Sequence, residues 1–228
     1  AIFIDLKKAF DLVNHQCLLH KLEHYGIRGE CLCWFENYLT TRKQKTKYVK
    51  ELSSSLPVEF GVPQGSILGP ILFVLYINDL PESLLKSSVS MYADDTVIYF
   101  TGPNSTIILQ TLQEDINNIT KWLINNKLIL NHSKTKWMLF GTRQKLEKCT
   151  EINIELNEKN IERVSQFCYL GVTLDENLSW QQHVEIVCSK VSKRINFLVR
   201  IRPYITLRAA KCVYNCIIHP ILTYADTV

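Results

Sequence analysis

This 228-residue chain has no apolar run long enough to cross a bilayer. The longest, Ile67 to Leu80, is interrupted by Gly69, Pro70, Asn78 and Asp79, whereas a spanning helix needs about 20 mainly apolar residues. No secretory leader pattern opens the chain, and no Gly/Ser-rich or Pro-rich linker divides it, so subdomains sharing one core are expected. Internal repeats and low-complexity segments are missing as well. The eight cysteines, at positions 17, 31, 33, 149, 168, 188, 212 and 216, form no C-x-x-C pair and no compact framework. They are expected to be reduced, mostly buried thiols of an intracellular protein. From Ile186 to Ala225 there is no acid, but seven Lys or Arg residues. With 46% hydrophobic and 21% charged residues, the rest is ordinary globular material. The net charge of +4 is too small to demand a polyanionic partner by itself.

The most informative stretch is Tyr92-Ala93-Asp94-Asp95, set between the β-rich runs Ser88 to Met91 and Thr96 to Phe100. Such runs favour strands, so a hairpin carrying two carboxylates at its tip is expected. A local Asx-type turn would explain a lone Asp-Asp pair. Adjacent carboxylates repel, however, and Mg²⁺ removes that repulsion by taking one or two of them together with water and phosphate oxygens. Ala1 to Ile4 reads as a buried strand that delivers a third acid, Asp5, at its end. With a basic C-terminal region, these acids suggest a two-metal nucleotidyl transferase, in which cations about 3.5 to 4 Å apart serve an in-line displacement.

The remaining pattern is helices and short strands. Apolar spacing predicts a helix over Ala9 to Tyr25, stopped by Gly26, and another carrying Leu32, Phe35 and Leu39. Between Arg42 and Lys50, Lys43, Lys45 and Lys47 alternate with Gln44, Thr46 and Tyr48, so one strand would put three ammonium groups on one side. That pattern suits either a solvated edge strand or a phosphate-contacting one. Gly61-Val62-Pro63-Gln64-Gly65-Ser66 forms a turn opening a helix over Ile67 to Leu80. Ser105 to Leu128 is an amphipathic helix with Ile108, Leu112, Ile116, Ile119 and Leu123 as its core stripe. Strand-like runs follow at Trp137 to Phe140, Ile152 to Leu156 and Phe167 to Leu174. Two helices, about Trp180 to Ile201 and Thr206 to His219, complete the chain. In the first, Val184, Val187, Val191, Ile195 and Leu198 should dock and leave a basic face free.

Three stretches now occur in a telling order: Phe3-Ile4-Asp5-Leu6-Lys7-Lys8-Ala9-Phe10-Asp11, then Gly61 to Pro70, then Tyr92-Ala93-Asp94-Asp95. Together they resemble motifs A, B and C of the reverse transcriptases of non-LTR, LINE-like retrotransposons. Asn131-His132-Ser133-Lys134-Thr135 is similar to motif D, and Tyr169-Leu170-Gly171 to the primer grip of motif E. The resemblance covers nearly the whole chain and implies an α+β fold. Residues 1–174 would form a right-hand polymerase palm, an antiparallel sheet with helices on one face, and residues 175–228 an α-helical thumb.

It also implies roles. Asp5, Asp94 and Asp95, with the Leu6 carbonyl, would hold two Mg²⁺ ions, Mn²⁺ being a substitute. Phe10 would lie under the incoming sugar, Gln64 and Gly65 would touch nucleotide and template, and Lys134 would donate a proton to pyrophosphate. Lys43, Lys45, Lys47, Lys193, Arg194, Arg200 and Arg202 would contact nucleic-acid backbones. The implied partners are an RNA template, a DNA primer and deoxynucleoside triphosphates, with no membrane. An intracellular location follows, nuclear for target-site reverse transcription and cytoplasmic during synthesis. Because Ala1 lies directly inside a strand-like run and Val228 carries no ending pattern, the chain reads as a fragment. In the family pattern, finger segments carrying basic triphosphate contacts would precede Ala1, so residues 1–228 alone are expected to be nearly inactive.

Other classes remain on the sequence. His20-Lys21-Leu22-Glu23-His24 matches the H-x-x-E-H pattern of zinc peptidases, with His20 and His24 as ligands and Glu23 activating water. Cys212, Cys216 and His219 share a helical face, where a buried face is the simpler reading than a metal site. A binding remnant that has lost catalysis is a third class.

Overall fold

The computed structural model describes residues 1–148, 153–156 and 159–227. Its first elements are β1 (Ile2–Ile4), α1 (His15–His24), α2 (Glu30–Thr40), β2 (Lys43–Gln44), β3 (Lys47–Tyr48), β4 (Glu51–Leu52) and β5 (Leu56–Pro57). Next come α3 (Leu68–Ile77), β6 (Ser88–Tyr92), β7 (Asp95–Tyr99), α4 (Ser105–Asn125), β8 (Lys136–Trp137) and α5 (Arg143–Leu146). The chain continues through β9 (Glu155–Leu156), β10 (Lys159–Asn160), β11 (Glu162–Arg163), β12 (Gln166–Tyr169) and β13 (Val172–Asp175). It finishes with α6 (Gln181–Ile201), α7 (Leu207–Val213) and α8 (His219–Thr223). The fold is thus mixed, with a sheet and helices, as the sequence suggests. Two compact units form, Ala1–Trp137 with Cys149–Arg163, and Met138–Lys148 with Val164–Val228.

In the first unit a five-stranded sheet runs β11-β8-β1-β7-β6. β1 is its centre, and Ile2, Phe3 and Ile4 are all buried. Because successive strand residues point to opposite faces, three buried in a row mean that both faces are covered there, rather than the single face expected. β6 pairs β7 as an antiparallel hairpin, and β8 and β7 flank β1 antiparallel. The sheet is not wholly antiparallel, since β11 runs parallel to β8. A parallel pair needs a long return connection, which the chain between Trp137 and Glu162 supplies. Trp137, 1% exposed, fastens that edge by donating its indole N–H to the Ile161 carbonyl at 3.1 Å.

The helices follow their apolar periodicity where packing allows. Leu112, Ile116, Ile119 and Leu123 of α4 are buried as a stripe, each such side chain contributing about 1.5–3 kcal/mol on burial. The predicted helix from Ala9 begins only at His15, where the Asn14 side chain caps it by accepting from the Cys17 amide at 3.0 Å. Residues before it are held otherwise: Lys8 has φ +46°, and the Val13 and Phe10 carbonyls accept from the Gly61 and Val62 amides. Such long-range bonds override helical spacing. α1 ends as expected, with Gly26 at φ +93° just beyond it. α1 is fixed to α3 by Lys21, whose ammonium donates to the Tyr76 carbonyl at 2.7 Å and to Asp79 at 2.6 Å.

The single strand expected at Lys43 to Lys47 is instead two, β2 pairing β5 and β3 pairing β4. The ladder breaks at Lys45-Thr46, so the three lysines do not share one strand face, although all are exposed. Trp137 to Phe140 is strand only at its first residue. Of the run Ile152 to Leu156, Ile152 lies outside the described residues, as does Cys149.

In the second unit, Phe167 to Leu174 is not one strand but the β12–β13 hairpin. α6 matches its expected bounds within a residue, yet none of its residues is buried and Val184 and Ile195 are exposed. The apolar stripe is therefore only partly docked. The final helix is broken into α7, a π-helical turn over Tyr214–Ile218, and α8. The cysteines differ from expectation as well: Cys31, Cys33, Cys168, Cys188, Cys212 and Cys216 are free and exposed, and Cys17 is half-buried. No described helix is long and apolar enough to cross a membrane.

Candidate active site

The β6–β7 hairpin closes at the pair Tyr92↔Asp95, leaving Ala93-Asp94 as a two-residue loop. Ala93 takes φ +52°, the sign that a II′ turn needs at its first central position. For a residue with a Cβ that conformation costs about 1–2 kcal/mol. The β1–β7 ladder pairs Ile2↔Ile98, Phe3↔Val97 and Ile4↔Thr96. One further step along this register sets Asp5 opposite Asp95, on the same sheet face because side chains alternate. Asp94 sits beside them in the turn.

Among the described residues, no side chain or amide donates to the carboxylates of Asp5, Asp94 or Asp95. Asp95 titrates above the usual carboxylate value of 3.8, through desolvation first and then through the charges of Asp94 and Asp5. Mutual repulsion without a protein cation is what a bound divalent ion relieves, and the donors are the hard oxygens that Mg²⁺ prefers. No three His, Cys, Asp or Glu residues are grouped as a ready-made chelate among the described residues. The acids suit an ion that takes one or two carboxylates and completes its shell from water and substrate phosphate. His20, Glu23 and His24 of the zinc-peptidase reading are exposed on α1, and no such grouping includes them.

The backbone around Asp5 is clamped. Its carbonyl accepts from the Asn131 amide at 2.8 Å, its amide donates to Thr135 Oγ1 at 3.3 Å, and Lys7 N–H donates to the Ile129 carbonyl. Leu6 forms an isolated bridge with Leu130. Residues 129–135 thus lie along the strand end, and they bring the turn holding Lys134, whose side chain is exposed, to the same part of the unit.

Gly61 to Ser66 packs against the segment following Asp5. Gly61 has φ +87°, and a Cβ there would come within 2.9 Å of the Asp11 backbone, so only glycine allows the approach. His15 Nε2 lies 2.9 Å from the Gly61 carbonyl. Gln64 donates to Asp11 Oδ1 at 2.9 Å, and Gly65 has φ +79°. Ser66 Oγ donates to the Pro63 carbonyl and accepts from Gly69 N–H, which caps the start of α3. Phe10 is half-buried and stacked on Phe73 with ring centroids 4.5 Å apart. Asp11, Gln64, Arg42 and Lys43 line an open cavity of about 640 Å³.

Sequence reasoning gave no role to Asp11, Thr135 or Phe73. Asp11 and Gln64 are 53 positions apart, and no local pattern announces such a pair. Elsewhere in the first unit Lys45 and Lys47 are exposed. In the second unit Tyr169 ends β12, Leu170 and Gly171 form the β12–β13 turn, and Lys193, Arg194, Arg200 and Arg202 are exposed.

Comparison with known proteins gives this geometry its context. Residues 1–174 match the family model described as reverse transcriptase (RNA-dependent DNA polymerase). The probable RNA-directed DNA polymerase from transposon BS of Drosophila melanogaster is 30% identical over 98% of this chain and 26% of its own length. The RNA-directed DNA polymerase from mobile element jockey of the same fly is 28% identical, over 97% and 25%. The probable RNA-directed DNA polymerase from transposon X-element is 26% identical, over 96% and 24%. The chain spans about a quarter of the length of these curated relatives. With three quarters of its residues inside the family model and its acids at the end of a shared sheet, the chain belongs to the reverse transcriptase (RNA-dependent DNA polymerase) family.

Proposed function

We propose that this chain is the palm, residues 1–174, and the start of a helical thumb, residues 175–228, of an RNA-directed DNA polymerase of a non-LTR retrotransposon. Its reaction is extension of a DNA primer on an RNA template from deoxynucleoside triphosphates. The observation that supports this reading is the β1–β7 register, whose last pair Ile4↔Thr96 lies one step before Asp5 and Asp95, with Asp94 in the adjoining turn and, among the described residues, no hydrogen-bond donor to the three carboxylates.

Asp5, Asp94 and Asp95, with the Leu6 carbonyl, would hold two Mg²⁺ ions, or Mn²⁺ in their place. Bound there, the ions lower the cost of the attacking and leaving oxygens' negative charge. The protein's own part is positioning. Thr135 and Asn131 fix the backbone of Asp5, and the strained Ala93 turn fixes Asp94. Phe10, stacked on Phe73, would limit space beneath the incoming sugar. Gln64, oriented by Asp11, and the side-chain-free Gly65 offer a surface to nucleotide and template. Lys134 is exposed and available to protonate departing pyrophosphate.

Lys43, Lys45, Lys47, Lys193, Arg194, Arg200 and Arg202 supply backbone contacts, each neutralised phosphate adding about 0.7 to 0.9 to the salt slope of binding. The workplace is intracellular, in the nucleus for target-site synthesis. The test is primer extension on an RNA template with Mg²⁺ by the full-length parent protein, comparing wild type with Asp94→Asn. Extension by wild type that disappears in the variant while template binding persists supports the reading. Binding without extension in wild type would leave a nucleic-acid-binding remnant instead.

A further inference from the structure

The tip of the β12–β13 hairpin is an unusual turn. The hairpin closes at Tyr169↔Val172, so Leu170 and Gly171 form its loop. Both are left-handed, with φ of +47° and +80°, as a I′ turn requires. Glycine adopts this freely, whereas leucine is strained there. Left alone, such a loop would sample other shapes.

Tyr224 holds it. Its hydroxyl donates to the Leu170 carbonyl. Its ring covers Gly171 so closely that a Cβ there would lie 3.2 Å from Tyr224 Cε1. Glycine is therefore favoured by its backbone, and a Cβ would press on the ring by a few tenths of an ångström. The tyrosine reaches the turn because α8 stops at it: Tyr224 is extended, with φ −68° and ψ 120°, and Ala225 follows at φ +56°. The strands of the hairpin have separate anchors, since Thr173 N–H donates to His183 Nδ1 at 3.2 Å and the Asp175 carboxylate accepts from Ser179 and Trp180. Tyr224 is 56% exposed, so it adds little to the core.

We infer that Tyr224 is a positioning residue for the primer strand, holding the Leu170–Gly171 turn in the form that meets it. This rests on the proposed role of Tyr169, Leu170 and Gly171 as the primer grip. The hydroxyl is the separable part, because Tyr224→Phe keeps the ring over Gly171 and removes only the hydrogen bond. Gly171→Ala does the opposite, keeping the hydroxyl and pushing a methyl group into the ring.

The experiment measures steady-state primer extension by the full-length parent protein as wild type, Tyr224→Phe and Gly171→Ala, together with amide hydrogen exchange at residues 170–172. In Tyr224→Phe the turn amides should exchange faster and KM for template–primer should rise about fivefold, the factor one neutral hydrogen bond supplies. KM for the nucleotide should stay unchanged. Gly171→Ala should raise KM for template–primer at least as much, with the same nucleotide KM. Faster exchange with an unaltered KM for template–primer would overturn the inference, as would equal loss in both KM values. A wild-type protein that never extends a primer would overturn the polymerase reading beneath it, an outcome distinct from either of these.

Discussion

Asp115 of α4 and the three acids at the end of the sheet are the same residue type in opposite surroundings. Asp115 is fully buried, and its carboxylate accepts from the amides of Leu85 at 2.8 Å and Ser87 at 2.7 Å. Burial alone would raise its pKa, but hydrogen bonds from Ser87, Leu85 and Lys86 outweigh it and hold the pKa below 3.8. Asp175 repeats the pattern in the second unit: burial is opposed by bonds from Ser179, Asn177 and Trp180, and its pKa also falls. Asp95 moves the other way, through desolvation and the charges of Asp94 and Asp5. The first kind of aspartate has its counter-charge built into the chain as amide dipoles. The second has no such donor among the described residues, and in the proposed function a bound cation would supply the counter-charge.

The largest expected effects separate the two kinds by mutation. Asp94→Asn should cut primer extension at least about a hundredfold while leaving the urea midpoint unchanged or raised. Asp115→Asn should instead cost about 3 kcal/mol of stability in urea unfolding, since buried amides lose a charged acceptor. Comparable destabilisation by both variants would break the comparison.

A smaller effect should appear with cations. Mn²⁺ at ten times its Kd should stabilise wild type by about 1.4 kcal/mol, read as a thermal shift. Asp115→Asn should keep that shift, and Asp5→Asn with Asp95→Asn together should lose it. An equal shift in the double variant would place the ion elsewhere.

The smallest effect is a pH dependence of opposite sign. A lowered carboxylate pKa means that the unfolded chain binds more protons, so Asp115 and Asp175 add stability that is complete above pH 3.8 and is lost as pH falls below it. A raised pKa means that the folded chain binds more, so Asp95 subtracts stability as pH climbs from 3.8 through its higher folded value. Relative to wild type, Asp95→Asn should gain stability on raising the pH across that window. Urea midpoints that do not diverge there would contradict the assigned surroundings of Asp95.

These contrasts also show what the sequence could reveal. The hairpin carrying Asp94 and Asp95 and the α4 stripe depend on neighbours within a few residues, so alternation, periodicity and turn chemistry sufficed. Asp115 itself carried a hint, an acid among Leu112, Ile116 and Ile119 on an apolar face. Its partners, the amides around residue 86, were out of local reach. The late start of α1 depends on Gly61 and Val62 docking beside Phe10 and Val13. The split of the lysine-rich strand depends on which partner each half finds, β5 or β4. The exposure of α6 could not be read at all, because an apolar stripe states that a face can be buried and not that it is.

The most direct test of the central claim is Mn²⁺ affinity measured by electron paramagnetic resonance on the protein with template–primer and nucleotide bound. The acids at the end of the sheet should account for the binding: Asp94→Asn should weaken it more than about tenfold, whereas Asp115→Asn, measured under conditions where it is folded, should match wild type. Wild-type Mn²⁺ affinity in Asp94→Asn would contradict the account.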